Sequence, residues 1–439
     1  MYQDARVKSA HRLIEYIAPK LNANLSIELW NGDVLPLGEG ATDDIRLVIR
    51  KADVVRRLLL KPKLMTVFEL YATGDIDLVG GSPLEAVRRW NHLKALEVAR
   101  GLSKLSVAKA LLPFLFSRKD SGTLTKREAF ETESIQKKPE DGRYDKELIQ
   151  FHYDVSNDFY ALFLDHEMVY SSAYFQDNET TLEEAQIKKL NMICKRLRLK
   201  PGDKLLDIGC GWGALMAHAV INYGVHAHGV TLSQAQFNFA ADKFKRLGIT
   251  DKVTLELRDY RDIREDESYD KISQIEMFEH LGIDNHDQHF KDVHRLLRPR
   301  GLYLHQASTR RATKDLSKFR KMTPYQQVIT TYIFPGGELD HIGMTVTNLE
   351  RLGFEVHDVE GWREHFQKTC RIWAERLYER REEATAEIGW PRTRLWLLYF
   401  TLSSMAFERG TTNVFQTLAS KRRTGLSGLP WTRHDLYDD

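Results

Sequence analysis

Leu205–Gly213, which reads LLDIGCGWG, is the stretch that decides the fold. Its apolar half predicts a buried strand, and its three alternate glycines predict a tight turn into a helix. Glycines at such a turn let the backbone approach a ligand closely. The free N–H groups at the start of the helix then favour an anionic or polar cofactor. The stretch therefore predicts a strand-to-helix turn that binds a cofactor, although the turn alone could also be a structural connection.

The spacing of these glycines argues against a nicotinamide dinucleotide. Such a site would show G-x-G-x-x-G and an acidic residue about 20 residues further on, where it would bind a ribose hydroxyl. Here the spacing is G-x-G-x-G, and the next strand ends in VTLS, residues 230–233, without an acid. The cofactor is therefore expected to be of another class.

Strand and helix patterns alternate around this turn, as in a parallel sheet that is covered by helices on both faces. A later stretch, NLERLGFEVHDVEGW at 348–362, predicts a helix and a late strand, and a helix-rich C-terminal part follows. The fold class is therefore α/β with a doubly wound sheet. Its predicted strands are KLLDIG at 204–209, HAHGVTL at 226–232, VTLELRD at 253–259, YDKISQIEMF at 269–278 and GLYLHQA at 301–307.

The first part of the chain has different periods. Apolar residues at spacings of three and four predict a helix over 7–21, and Asn31–Asp33 predicts a turn between two short strands. A strand that leads into a helix is predicted over 43–60. We predict a smaller mixed α/β domain over 1–117, a charged linker over 118–146 and a catalytic domain over 147–439.

Composition narrows the classes of partner and compartment. The 439 residues include 64 basic and 62 acidic ones, so no overall field favours a nucleic acid. Three cysteines without CxxC spacing indicate neither a disulfide framework nor a metal site. The charged N-terminus lacks the apolar region of a signal peptide, and no apolar run is long enough to span a membrane. A cytoplasmic location is expected.

Residues 85–119 are locally basic and contain the apolar run Leu111–Phe116. A basic helix beside exposed apolar residues is typical of a protein that lies on an anionic lipid surface. A buried helix with a solvated basic face would give the same pattern. Both interpretations stay open at this point.

Residues 151–337 resemble the cyclopropane-fatty-acyl-phospholipid synthase family and its mycolic-acid-modifying relatives. The resemblance implies a Rossmann-like class I methyltransferase that transfers a methyl or methylene group from S-adenosylmethionine to the double bond of an unsaturated phospholipid acyl chain. It also implies a peripheral position on the inner face of the membrane, and a homodimer. The matching pieces, in order, are FHYDVSNDFYALFLD, MVYSSAYF, LLDIGCGWG, GVTLSQAQ, RDYRDI, EMFEHLG, GLYLHQAS and TYIFPGG.

The resemblance also assigns cofactor-binding residues, and their types suit the ligand. Aromatic rings, hydroxyls and amides are the groups that a purine and a ribose require. Without the motif around it, Tyr260 would be interpreted as a core tyrosine. The implied residues are Tyr170 and Ser171 at the methionine end, Asp207, Gly209, Gly211 and Gly213 in the turn, Thr231, Leu232 and Gln236 near the ribose and adenine, and Tyr260 and Arg261 near the adenine.

For catalysis, the resemblance implies a bicarbonate bound by Glu279 and His305, which assists removal of a proton. Two further positions of that pocket depart from the family pattern. Ser172 replaces a cysteine, and Phe366 replaces a tyrosine and so loses a hydroxyl donor. Loss of that donor is expected to weaken anion binding by about 1–3 kcal/mol.

These departures leave the product open. The expected product is a cyclopropane, and the alternative is a methyl- or methylene-branched chain formed without ring closure. Two other classes of function are carried as alternatives. One is a methyltransferase for a small phenol or amine, and the other is a lipid-binding scaffold without activity.

Overall fold

The structure, a computed structural model, describes residues 2–90, 97–98, 101, 103–114, 155–264, 266 and 268–437. The helices are α1 (Tyr2–Leu21), α2 (Asp53–Leu60), α3 (Leu64–Ala72), α4 (Pro83–Arg88), α5 (Lys104–Leu111), α6 (Asn157–Ala161), α7 (Leu182–Arg196), α8 (Ala214–Tyr223), α9 (Gln234–Leu247), α10 (His286–Leu296), α11 (Pro324–Tyr332), α12 (Ile342–Arg351), α13 (Arg363–Glu379), α14 (Arg381–Ile388) and α15 (Trp390–Glu408). The strands are β1 (Ser26–Glu28), β2 (Val34–Pro36), β3 (Arg46–Ile49), β4 (Ile76–Val79), β5 (Lys204–Ile208), β6 (His226–Thr231), β7 (Val253–Leu257), β8 (Tyr269–Ile275), β9 (Leu297–Arg310), β10 (Phe354–Gly361) and β11 (Thr412–Lys421).

The chain divides into two compact units that are not continuous in sequence. The predicted division into 1–117 and 147–439 differs from this one, because two later segments fold with the N-terminal part, and spatial neighbours of that kind leave no local pattern. The predicted linker over 118–146 lies outside the described residues. The first unit comprises Met1–Lys137, Lys321–Ile333 and Ala374–Leu402, and the second comprises Lys138–Arg320, Phe334–Trp373 and Ser403–Asp439.

The first unit contains a four-stranded sheet with the order β2-β1-β3-β4. Strands β1 and β2 form the antiparallel hairpin that was predicted around Asn31–Asp33, and β3 leads into α2 as predicted. Helix α1 covers the predicted helical region. Its buried Ile14 packs in a core with Leu25 and Phe114.

The second unit contains a seven-stranded sheet with the order β10-β11-β9-β8-β5-β6-β7. The five strands predicted around the glycine turn are confirmed, and β5 pairs in parallel with both β6 and β8. The chain proceeds from β5 outward to β7 and then returns to β8 on the other side of β5. Ligands of such sheets bind outside the carboxyl ends of the strands at this reversal.

Alternation along β5 explains why its apolar run is buried. Leu205 packs with Met216 of α8 and Phe244 of α9, whereas Leu206 packs with Phe290 of α10 on the opposite face. Successive side chains of a strand point to opposite faces, so a sheet with helices on both sides requires a continuous apolar strand.

Strand β11 was not predicted, because the C-terminal part was expected to be rich in helices. It lies between β9 and β10 and pairs antiparallel with both. Its central residues include the fully buried polar side chains of Gln416 and Thr417. Polar residues in this position conceal the hydrophobic pattern by which a buried strand is recognised.

No helix in the described part of the chain is both long enough and apolar enough to cross a membrane.

Candidate active site

A cavity opens at the carboxyl ends of β5, β6 and β8, at the place where the strand order reverses. The turn after β5 forms its floor, and residues 168–171 and helix α7 form another wall. All the predicted cofactor-binding residues except Gly213 line this cavity; they are Tyr170, Ser171, Asp207, Gly209, Gly211, Thr231, Leu232, Gln236, Tyr260 and Arg261.

The three glycines of the turn all have positive φ, at +77° for Gly209, +54° for Gly211 and +79° for Gly213. L-amino acids with side chains rarely adopt this conformation. At Gly213 an added Cβ would lie 2.5 Å from Cζ of Phe244. Gly213 therefore serves the close packing of the turn against α9, which explains why it does not line the cavity.

The predicted methionine end of the cavity contains a buried lysine that sequence analysis missed. Nζ of Lys189 donates a hydrogen bond of 2.7 Å to Oγ of Ser171. Burial lowers the pKa of Lys189 to about 8. The sequence does indicate that this lysine is buried, because Lys189 lies at helical spacing from Leu182 and Ile193 on the apolar face of α7.

Asp207, at the end of β5, lies beneath the same end of the cavity. Its Oδ1 accepts a 2.7 Å hydrogen bond from Oγ of Ser273 on β8. Burial raises the pKa of Asp207 to about 6, against the lowering effect of Ser273 and of the nearby Lys189.

At the predicted ribose and adenine end, the polar side chains are already paired within the protein. Oγ1 of Thr231 lies 2.9 Å from Oε1 of Gln236. The guanidinium of Arg261 forms a fork with the Asp259 carboxylate, with Nη2 at 2.6 Å from Oδ2. Tyr260 is buried in the core, and its hydroxyl lies 2.9 Å from Nδ1 of His289. Tyr260 thus has the role of a core tyrosine and also lines the cavity.

An aromatic cluster surrounds the methionine end. The ring centroid of Tyr170 lies 5.3 Å from that of Tyr160 and 5.2 Å from that of Trp373. Tyr160 also packs edge-on against Trp212 of the glycine turn at 5.0 Å. Aromatic faces attract cationic groups, typically by about 0.5–2 kcal/mol. This surface suits a positively charged ligand.

The four predicted catalytic residues, Ser172, Glu279, His305 and Phe366, are not among the residues that line the cavity. The Ser172 hydroxyl donates to the carbonyl of Ala173 at 3.1 Å. Phe366 lies among aromatic rings, 4.6 Å from Phe407 between centroids. Phe366 therefore contributes packing at a position where the family pattern has a hydroxyl.

His305 lies on the face of β9 that packs against α10, edge-on to the ring of Phe278 at 4.6 Å. Its Nδ1 lies 3.1 Å from the Tyr303 hydroxyl. Both the nitrogen and the oxygen of the Gln274 side-chain amide have hydrogen-bond partners when its nitrogen points toward His305 and donates to the same Nδ1 at 2.7 Å. Burial lowers the pKa of His305 to about 3, so the ring is neutral and offers no positive charge to an anion.

Glu279 lies in a short 3-10 helix after β8 and accepts a 2.5 Å hydrogen bond from the backbone N–H of Ser308. Burial, and after it the nearby Glu276 carboxylate, raise its pKa to about 8. Its Oε2 is buried and has no hydrogen-bond partner in the described part of the chain. Glu279 and His305 make no direct contact with each other among the described residues.

Glu276 lines the cavity and was missed as a site residue, although it opens the matched piece EMFEHLG. It directly follows β8, with φ of +51°. Its Oε1 accepts hydrogen bonds from the backbone N–H of Ser172 at 3.0 Å and from Nε2 of Gln306 at 2.5 Å. Burial raises its pKa to about 7. The available signal was its position, because an acid at the carboxyl end of a central parallel strand faces the ligand site.

Comparison with known proteins gives one family. A sequence model described as "Mycolic acid cyclopropane synthetase" matches residues 140–417. A "Probable fatty acid methyltransferase" of Pseudomonas putida is 33% identical over 418 residues, which cover 95% of this chain and 97% of that protein. "Cyclopropane mycolic acid synthase MmaA2" of Mycobacterium tuberculosis is 35% identical over 280 residues, 63% of this chain and 97% of its own.

A solved structure gives the same result. The mycolic acid cyclopropane synthase CmaA1, crystallised in complex with SAH and CTAB, superposes with a TM-score of 0.59 at 33% identity. The superposition covers 65% of this chain and 99% of that one.

Proposed function

The chain belongs to the mycolic acid cyclopropane synthetase family and is an S-adenosylmethionine-dependent methyltransferase, and we propose that it methylates a double bond of an unsaturated fatty acyl chain. The proposal rests on one arrangement of residues in the cavity. The cavity that contains the glycine turn also contains the carboxylate of Glu276, close to Ser171 at the predicted methionine end. A base inside a cofactor cavity is what methylation of an alkene requires, because the product cation must lose a proton.

The residues of the cavity fit S-adenosylmethionine. The turn at Gly209 and Gly211 has the positive φ angles that bring backbone close to a ligand, and Tyr170 presents an aromatic ring at the end where the sulfonium would lie. Thr231 and Gln236 would contact the ribose and adenine. When bound, this cofactor supplies an electrophilic methyl group on a positively charged sulfur.

An isolated alkene is a weak nucleophile, so the chain must position it and exclude water. Tyr160, Tyr170 and Trp373 form a continuous aromatic cluster at the methionine end of the cavity. Of these three rings, Tyr170 lines the cavity, where an aromatic face stabilises positive charge that develops on carbon, and Tyr160 and Trp373 hold it from behind. These features support an apolar acyl substrate over a small phenol or amine.

Two products remain within the proposal. Loss of a proton from the added methyl group closes a cyclopropane ring, whereas loss from a neighbouring chain carbon gives a methyl-branched chain. Phe366, which packs against Phe407 without a hydroxyl, and the Glu276 carboxylate on Ser172 both set this site apart from the predicted ring-closing pocket. These two observations alter the pocket that receives the proton, and labelling of the transferred methyl group with deuterium distinguishes the two products.

We propose further that the acyl chain belongs to a phospholipid at a bilayer surface. In the first unit, Leu112 is 60% exposed, Lys109 one helical turn before it is exposed, and Arg88 is exposed as well. Phe114 of the same apolar run is instead buried in the core. An exposed leucine beside basic residues supports attachment to anionic lipid. Lys94, Arg100, Arg118 and Lys119 of the predicted basic stretch lie outside the described residues.

Expression in a bacterium that makes no cyclopropane or branched acyl chains tests the proposal. Gas chromatography and mass spectrometry of its fatty acids should reveal a new species that is heavier by one carbon. Cells with empty vector provide the control. A fatty acid profile identical to that control, in cells that contain folded protein able to bind S-adenosylmethionine, would contradict the proposal.

A further inference from the structure

Glu276 holds a strained and specific position at the edge of the sheet. It is a non-glycine residue with φ of +51°, directly after β8. Such a conformation costs about 1–3 kcal/mol and persists only where the surroundings enforce it. Here the surroundings are the hydrogen bonds from Ser172 and Gln306 to Oε1. Oε2 receives no hydrogen bond from the described part of the chain, so one carboxylate oxygen is available to a ligand in the cavity.

The side chain that binds Glu276 is itself held in place. Gln306 is fully buried, and its Oε1 accepts a 2.7 Å hydrogen bond from Nε2 of Gln416 on β11. The amide of Gln306 is therefore fixed with its nitrogen toward Glu276. Gln306 and Gln416 are positioning residues, because they act on the cavity only through this carboxylate.

Two of the four residues predicted to bind bicarbonate, Ser172 and Phe366, offer that anion no free hydrogen-bond donor. The Ser172 backbone N–H donates to Glu276, and the Ser172 hydroxyl donates to Ala173. Phe366 has no donor, and His305 lies on the face of β9 opposite to Gln306, because successive strand residues alternate in direction. A bicarbonate beside the Ser172 backbone N–H would also lie beside the carboxylate of Glu276, whose charge would repel it.

We propose that the Glu276 carboxylate is the base that accepts the proton in the methylation step, so that the chain itself supplies the group for which the family pattern predicts a bound bicarbonate. The inference rests on the proposed function for its chemistry. Its geometry rests on Ser172 and Gln306, which hold the carboxylate inside the cofactor cavity.

Methylation of the alkene proceeds by methyl transfer and then loss of a proton. The π electrons of the alkene form a bond to the methyl carbon while the carbon–sulfur bond breaks, and the electron pair of that bond stays on sulfur. A carbon cation remains on the acyl chain. A C–H bond then breaks and its proton moves to Oε2 of Glu276. If this bond is on the chain carbon next to the cation, its electron pair forms a carbon–carbon double bond and leaves a methyl branch; if it is on the added methyl group, its electron pair forms the third bond of the ring. The proton later passes to solvent when the cavity opens to product release.

Anion binding tests the proposal without any lipid substrate. Nuclear magnetic resonance with 13C-bicarbonate, in the presence of S-adenosylmethionine, should show no bound anion for the wild-type chain. Glu276→Gly removes the carboxylate and suits the positive φ, so this variant should fold and bind bicarbonate at millimolar concentration. Binding of bicarbonate by the wild type as tight as that of the variant would overturn the proposal.

Turnover in buffer freed of carbon dioxide gives the second test. The wild type should be equally active with and without added bicarbonate. Glu276→Gln should lower kcat by about 10²–10⁴-fold, the usual contribution of a general base. Glu276→Gly should be inactive and should regain activity with bicarbonate or formate. A wild type that needs bicarbonate, or a Glu276→Gly variant with full activity without it, would contradict the assignment.

Glu350→Gln is the matched control, because Glu350 is an exposed glutamate at the end of α12. It should retain wild-type turnover and should not bind bicarbonate. Calorimetry with S-adenosylmethionine should give Glu350→Gln the wild-type affinity and should show that both Glu276 variants still bind the cofactor. If even the wild type modifies no acyl chain, the proposed function fails, and the anion-binding experiment alone still decides whether Glu276 excludes the anion.

Discussion

Gly213 packs the glycine turn, where we propose that S-adenosylmethionine binds, against helix α9. An added Cβ would lie 2.5 Å from Cζ of Phe244 and 3.1 Å from Cβ of Ala240. We expect Gly213→Ala to lower the free energy of unfolding by roughly 1–3 kcal/mol and to weaken binding of S-adenosylmethionine, because the turn must move to relieve the contact. Urea denaturation and calorimetry measure the two effects.

Gly248 offers a matched control for this variant. Its φ of +67° is close to the +79° of Gly213, but an added Cβ would meet nothing within 4 Å. Gly248→Ala therefore imposes the backbone strain without the clash, and it should leave cofactor affinity unchanged. Equal loss of affinity in both variants would show that the contact with Phe244 has no role.

The titration of Glu276 gives a prediction for pH dependence. Burial raises its pKa to about 7, and the groups that face it are Lys189, Glu279 and the thiol of Cys370. A base must be deprotonated, so kcat should be low at acidic pH and should rise as pH increases through about 7. The pKa values of Lys189 and Glu279 are both about 8, above this limb.

The pH profile of kcat at saturating S-adenosylmethionine checks this assignment. Glu276→Gln should remove the rising limb from the residual activity, because its amide does not titrate. If kcat of Glu276→Gln still rises at the same pH, another group is titrating and the assignment to Glu276 is wrong.

At this scale, ordered sequence motifs named Tyr170, Gly209 and Gln236, and the structure brings these three residues to one cavity. Their roles in cofactor binding stay predictions. Glu276 was missed because a family pattern assigns its role to a bound anion. Only the hydrogen bond from Ser172, distant in sequence, shows that a carboxylate occupies that place.

Strand β11 stabilises the sheet through its buried apolar residues, although buried polar residues beside them obscure its hydrophobic pattern. Leu418 is 2% exposed and packs in the same core cluster as Leu205 of β5. Leu418→Ala should lower the free energy of unfolding by about 2–5 kcal/mol, since it leaves a cavity in a close-packed core. Urea denaturation followed by circular dichroism measures this change.

The neighbouring strand provides the control. Val359 of β10 is 38% exposed, so Val359→Ala should change stability by no more than about 0.5 kcal/mol. A loss of stability for Leu418→Ala as small as that for Val359→Ala would mean that β11 is not integral to the sheet.

The segment after α5 carries the prediction about lipid. Leu112→Asp should weaken binding to anionic, unsaturated vesicles by roughly tenfold or more, because burial of a leucine in lipid contributes about 1.5–3 kcal/mol. Leu316→Asp is the control, since Leu316 is 61% exposed and Leu112 is 60% exposed. Co-sedimentation with vesicles measures binding, and equal losses in the two variants would argue against a role for this segment.

Elements with a clean period were predictable, and elements whose burial depends on distant partners were not. The apolar run of β5 and the turn at Asn31–Asp33 are local patterns, and both gave correct strands. Strand β11 has buried Gln416 and Thr417, which are tolerated only because β9 and β10 flank it.

For the whole molecule, the order of motifs predicted the class of enzyme, whereas the division into units was not predictable. The family match over 140–417 agrees with the resemblance of 151–337. The units, by contrast, include Lys321–Ile333 and Ala374–Leu402 in the first one. Such an exchange of segments depends on packing, which short-range sequence patterns do not record.

The most direct test of the central claim uses purified protein, S-adenosylmethionine with a fully deuterated methyl group, and vesicles of monounsaturated phospholipid in buffer free of carbon dioxide. Mass spectrometry of the released acyl chains should show label in the chain. Retention of every deuteron indicates a methyl branch, and loss of one indicates closure of a ring or formation of a methylene group. Acyl chains that stay unlabelled while the protein binds S-adenosylmethionine would contradict the account.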